Sequence, residues 1–256
     1  LESDGDVRVN VKLVDANNGA IQWSESYDDK LSGILKLQSQ IAQSVAKQLK
    51  GVLGVEETAN LAKAETTSAE AYELYLQGRK LWHNRTKESF VSAIELFNKA
   101  IALDKNFALA YVGIADVRLM ESFYSISYPK DSVEKARQAS EKALEIKPNL
   151  GEALANLAMI TMSFDHDFIN AEKLFVKAMN ANPNHSITFT WGCACANNTG
   201  RFAEGLRRAK HAFELDPENP IAIHGVSNSQ IFSKNLETAK EVATNALKTH
   251  TGFHRL

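Results

Sequence analysis

The sequence predicts a mainly α-helical protein: an α-solenoid of stacked helix pairs, preceded by a small partial α/β segment of one β-hairpin and one helix. Two observations carry this. A stripe of small residues recurs five times, as Ala93/Phe97/Ala100, Ala136/Ser140/Ala143, Ala171/Phe175/Ala178, Gly205/Ala209/Ala212 and Ala239/Ala243/Ala246. Each is spaced by four and then three, so its members share one helical face. The last members fall at 100, 143, 178, 212 and 246, giving one step of 43 residues and then steps of 35, 34 and 34. Pro148, Pro183 and Pro217 each follow a stripe by five residues. The second observation is that strand-like alternation is confined to the first 54 residues.

In chain order, Val7, Val9, Val11 and Leu13 alternate with polar residues, the period of a half-buried strand. The cluster Asp15-Ala16-Asn17-Asn18-Gly19 is a turn signal, and Ile21, Trp23 and Tyr27 carry the return strand. A lone hairpin is marginal in water, so it must pack on the next helix. That helix is expected to be capped by Asp28 or Asp29, to carry Leu31, Ile34, Leu35, Ile41, Val45 and Leu49, and to stop near Gly51 or Gly54. Residues 1–54 therefore form the α/β segment and 55–67 a linker. The repeats occupy 68–256, opened by a capping box at Thr67-Ser68-Ala69-Glu70. Between the helices of the second pair lies Ser122–Asp131, where nine residues exceed the 34-residue repeat. This insertion either lengthens the helices over the core or loops out as a contact surface through Phe123, Tyr124 and Tyr128.

Composition removes several function classes. The 256 residues carry 29 basic and 31 acidic side chains, a net charge of −2 with no footprint for nucleic acid. No apolar run reaches the length of a membrane span. Cys193 and Cys195 lie about 200° apart around a helix, so they are expected to be free thiols, which favours a reducing, cytoplasmic compartment. The chain reads as a segment of a longer protein, and the compartment becomes periplasmic if that protein is membrane-anchored.

The repeat spacing resembles tetratricopeptide repeats over residues 70 to about 252, with Lys105 and Thr251 standing where a closing proline is usual. The opening segment, Val7-Arg8-Val9-Asn10-Val11-Lys12-Leu13-Val14-Asp15, then Asn18-Gly19, Trp23-Ser24-Glu25-Ser26-Tyr27-Asp28, Gln38 and Ile41-Ala42, is similar to the second half of the α/β domain related to the amino-terminal domain of TolB. Together these resemble bacterial winged-helix transcriptional regulators of the CadC and HilA kind, and also some class III adenylate cyclases and protein kinases. The resemblance implies an upstream effector and a non-catalytic sensory or protein-interaction role for these residues. A stand-alone assembly scaffold is the further alternative.

Catalytic chemistry is missing from the sequence. It contains no phosphate-binding glycine loop, zinc-protease motif, nucleophile elbow or Cys-x-x-Cys pair, so no cofactor or metal is expected. Asp165-His166-Asp167 reads as a solvated turn, and His250 with His254 as a chance helical spacing. What remains is a protein or peptide partner in the inner groove, which is lined mainly by each repeat's first helix. The candidate partner-binding residues are Tyr75, Arg79, Trp82, His83, Asp116, Tyr124, Asn197 and Asn228, with Met120, Met159, Met162, Asn198 and His224 beside them. Tyr75, Arg79 and Trp82 share a face of the composition that interface hot spots favour. Arg79 and Tyr124 are expected to act in binding rather than stability. The lysine positions of a chaperone-tail clamp are Tyr75, Val112, Ala155, Thr190 and His224, so a terminal carboxylate has no such grip here.

Overall fold

The computed structural model describes residues 5–15, 18–30, 33–48, 65–217 and 220–249. Strands β1 (Asp6–Val14) and β2 (Ile21–Lys30) pair antiparallel, with Val9 opposite Tyr27 and Leu13 opposite Trp23. Gly19 has φ 70° at the turn, a value that glycine adopts freely. Val7, Val9, Val11 and Leu13 share the half-buried face with Trp23 and Tyr27. Helix α1 (Ile34–Gln48) packs on β2 and buries Leu37. Asp28 and Asp29 do not cap this helix as expected. Both belong to β2, and Asp28 is held across the sheet by Arg8 at 2.5 Å. Leu31, Leu49, Gly51 and Gly54, and almost all of the linker, lie outside the described residues.

Among the described residues, ten further helices follow as five pairs: α2 (Ala69–His83) with α3 (Lys87–Leu103), α4 (Ala108–Phe123) with α5 (Pro129–Ile146), α6 (Gly151–Ser163) with α7 (Phe168–Ala181), α8 (Ser186–Asn198) with α9 (Phe202–Leu215), and α10 (Pro220–Phe232) with α11 (Leu236–Thr249). Each helix packs on its partner, each second helix on the next pair, and α2, α4, α6, α8 and α10 lie side by side. This is the α-solenoid read from the sequence. Gln38 donates to the Tyr72 hydroxyl at 3.1 Å, tying the opening segment to the first pair, and Thr66, just ahead of α2, donates to Asp104 at 2.5 Å.

The repeat is visible in the backbone. Turns inside the pairs each carry one left-handed residue: Arg85 (φ 56°), Ser125 (φ 54°), His166 (φ 57°), Gly200 (φ 75°) and Lys234 (φ 61°). Turns between pairs close on the small-residue stripe. The N–H groups of Asp104, Lys147, Asn182 and Asp216 donate to the carbonyls of Ala100, Ala143, Ala178 and Ala212 at 2.9–3.1 Å. Those four alanines have no exposed surface, and neither have Ala93, Ala136, Ala171 or Ala209. A methyl group is what lets adjacent helices approach to the short end of the 8–10 Å range.

One local expectation is corrected. Ser68, not Thr67, is the N-cap of α2, accepting from the Ala71 N–H, and Glu70 takes no part. The capping box stands instead at Thr86 and Ser89 on α3. The insertion mostly lengthens helices: α4 has 16 residues and α5 has 18, against 13 and 14 in α6 and α7. Its remaining turn, 124–128, sends Ile126 to the core and leaves Tyr128 69% exposed.

Candidate functional site

The first helices of the repeats bring a polar ladder across three pairs. Arg79 on α2 donates to Asp116 on α4 at 2.5 Å, and Asn156 on α6 donates to the other Asp116 oxygen at 2.8 Å. One turn before Asn156, Glu152 accepts from Asn182 at 2.7 Å. The ladder is partly sheltered, with the side chains of Arg79 and Asp116 only 23% and 13% exposed. Burial works against the Arg79 charge, but Asp116 and Tyr75 outweigh it and its pKa is raised. Tyr75 lies beside this ladder with its ring against Phe97 and Phe107, and burial pushes its hydroxyl well above the ordinary phenol range.

At the end of α2, Trp82 carries two guanidinium groups, Arg79 at 4.5 Å and Arg85 at 3.8 Å from the ring centre, with His83 edge-on at 4.9 Å. Tyr124 lies beside this group, 38% exposed, its ring 6.5 Å from that of Phe90. The structure thus brings Tyr75, Arg79, Trp82, His83, Asp116 and Tyr124 into one region. Arg85 and Asn156 belong to it as well and carry no periodic signal in the sequence. Arg85 sits in a turn, and Asn156 is fully buried within α6.

Other candidates are placed differently. Asn197 is 4% exposed, so it lies in the interior rather than facing the groove. Its amide donates to Ser229 at 3.0 Å, and its oxygen lies against Gly205, where an added Cβ would come within 2.1 Å. Trp82 is only 2% exposed, covered by the two arginines. Met120, Met159 and Met162 are core residues at 5–8% exposure. Asn228 is half-buried on α10, away from the ladder, and His224 is exposed there. Arg79 cannot be read as a residue of binding alone, since its removal strands a half-buried Asp116 carboxylate.

Asp165 and Asp167 are engaged in structure, by Arg137 at 2.8 Å and by the cap of α7. No three His, Cys, Asp or Glu side chains among the described residues are grouped to hold a metal ion. His250 and His254 lie outside the described residues. Cys193 and Cys195 are free and buried, and burial raises both thiols, Cys195 to about 11. Among the described residues no helix is long and apolar enough to cross a membrane.

The charged groups predict an acid-sensitive fold. Burial lowers the pKa of His185 below its ordinary 6.5, against the pull of Glu152 and Asp116. The fold therefore binds fewer protons there than the unfolded chain, and stability declines as the pH falls below 6.5. Glu204, hydrogen-bonded by Arg207 and Arg208, is held at about 2. Glu172 also sits at about 2, because its bonds to Arg201 and Arg208 overcome the effect of burial. Their contribution is complete above the ordinary 4.5 and is lost as the pH falls toward 2. The urea midpoint is expected to drop in two stages, below 6.5 and again below 4.5. A midpoint constant across both intervals contradicts this.

No protein-family model matches the chain. Among curated proteins it is similar to Transcriptional regulator HilA of Salmonella typhimurium (strain LT2), 24% identical over 162 residues. That alignment covers 62% of this chain and 29% of HilA, so the chain spans less than a third of that relative's length. Among solved structures it resembles TTC0263, a thermophilic TPR protein of Thermus thermophilus, with a TM-score of 0.56 at 14% identity over 71% of this chain and 92% of that one. It also resembles PilW, a widely conserved type IV pilus biogenesis factor, with a TM-score of 0.52 at 16% identity over 70% and 76% of the two chains. These likenesses show the fold, a tetratricopeptide solenoid.

Proposed function

We propose that the chain is a non-catalytic, protein- or peptide-binding sensory region of a bacterial transcriptional regulator, engaging its partner at the first two repeats. The observation that carries the binding reading is the cluster of Arg79, Arg85, His83 and Tyr124 laid around the buried Trp82, an arginine and aromatic composition of the kind that anchors interfaces. The similarity to HilA supports the regulatory setting. Residues 1–54 are then the second half of an α/β domain similar to the amino-terminal domain of TolB, joined by the 55–67 linker to the repeats. The buried free thiols favour a cytoplasmic location.

A photo-crosslinking residue placed at Tyr124 in the full-length protein tests the binding reading in cells. It is expected to trap a discrete protein, whereas the same residue at Lys99, exposed on α3, traps none. Equal trapping at both positions, or none at either, overturns the reading. The gene sequence ahead of residue 1 tests the setting. A winged-helix pattern supports a regulator, and a cyclase or kinase motif set makes the chain a regulatory arm of that enzyme instead.

A further inference from the structure

Arg85 differs from the other described arginines of this protein. Arg8, Arg79, Arg118, Arg137, Arg201, Arg207 and Arg208 each have a carboxylate oxygen at 2.5–2.8 Å. Among the described residues Arg85 has none within salt-bridge reach. It is half-buried, with its guanidinium carbon over the Trp82 ring, 3.8 Å from the ring centre. Its Nη1 is buried with no hydrogen-bond partner, and so is the neighbouring Trp82 Nε1. Two adjacent donors thus go unmatched by any acceptor among the described residues, where buried polar groups are otherwise nearly all paired. Arg85 also occupies the left-handed turn position at φ 56°, where glycine or asparagine is the ordinary choice. Its side chain helps cover Trp82, but an apolar cover needs no cation.

We propose that Arg85, stacked on Trp82, is a carboxylate-binding site that receives an aspartate or glutamate side chain of an acidic peptide segment in the partner. This rests on the peptide-binding reading above and names the chemistry of its partner. Asp116 already neutralises Arg79, so the site offers one unpaired cation with a fixed, planar fork. A planar fork matches a carboxylate in geometry and charge. The polyanionic backbone of a nucleic acid needs several such cations, and the chain's net charge is −2. Burial lowers the Arg85 pKa, and an incoming carboxylate offsets that penalty. Tyr124, 38% exposed beside it, can cover the bound segment.

The test is selection of a random-peptide display library on the chain, followed by affinity measurement on wild type and Arg85→Asn. Asparagine tolerates the left-handed backbone, so Arg85→Asn is expected to fold, with a cooperative thermal melt lowered only by the partial uncovering of Trp82. The selected peptides are expected to share an acidic residue at one position. Changing that residue to its amide should weaken wild-type binding by about ten- to a hundredfold. The same change should leave binding to Arg85→Asn unaltered, and Arg85→Lys should fall between the two. Peptides without an acidic position, or bound equally by wild type and Arg85→Asn, overturn the carboxylate site and leave the peptide-binding reading standing. Binding of a single-stranded oligonucleotide that is lost in Arg85→Asn overturns it in favour of a phosphate ligand. A library that yields no peptide overturns both.

Discussion

Replacing Phe97 with alanine is expected to lower the unfolding free energy by about 3–5 kcal/mol. Phe97 lies on α3 with no exposed surface, and its ring fills a slot between α2 and α4. Both walls of the slot are glycine. A Cβ added at Gly78 or at Gly113 would come within 2.6 Å of the ring, so neither wall tolerates even a methyl group while Phe97 is present. Tyr75 closes the slot with its ring centre 5.8 Å away. The cavity left by alanine is walled by helix backbone on two sides and collapses poorly, which places the expected loss in the upper part of the range for large-to-small substitutions. Val91→Ala, on the same helix but 49% exposed, is the control and should change stability by less than about 0.5 kcal/mol. Urea unfolding measures both. Gly113→Ala should be destabilising alone and milder in a Phe97→Leu background, because the smaller side chain vacates the methyl position. A Phe97→Ala loss similar to that of Val91→Ala would mean that the slot is not formed.

The stripes could be read from sequence because each repeat poses the same packing problem and solves it with the same residues. Ala100, Ala143, Ala178 and Ala212 are found where the period places them, and their carbonyls receive the four equivalent cap bonds. Where a feature depends on which neighbour lies across from it, periodicity is silent. Asn197 has the spacing of a groove residue, yet the next pair brings Ser229 over it, and its own partner helix α9 sets Gly205 against its oxygen. Met159 and Met162 have the same spacing and lie in the core. Asp28 and Asp29 look like helix caps by composition, but strand pairing extends to Lys30 and takes them first. Arg85 left no trace for pattern reading at all. That no carboxylate pairs with it among the described residues emerges only once the helices are assembled.

The strongest polar effect is expected at Arg208, with a size that depends on which partner is removed. Arg208 is 3% exposed and donates to Glu172 at 2.5 and 3.0 Å, to Glu204 at 2.6 Å and to the Gly192 carbonyl at 3.0 Å, joining α7, α8 and α9. Each carboxylate also has a second arginine: Arg201 reaches Glu172 at 2.7 Å, and Arg207 reaches Glu204 at 2.8 Å. Arg208→Met therefore strands no charge. It removes one guanidinium, retains much of the apolar bulk and leaves both carboxylates paired, so the expected loss is about 1–2 kcal/mol. The double change Glu172→Gln with Glu204→Gln is different, because it leaves the buried Arg208 cation without a counter-charge. That loss should reach about 3–5 kcal/mol, as for other buried pairs broken from one side. Adding Arg208→Met to the double change removes the stranded cation and should restore part of the stability, so that the triple variant melts above the double. Denaturant unfolding at neutral pH orders the three. A triple variant less stable than the double would show that Arg208 contributes mainly by packing against Gly192, with its ion pairs secondary.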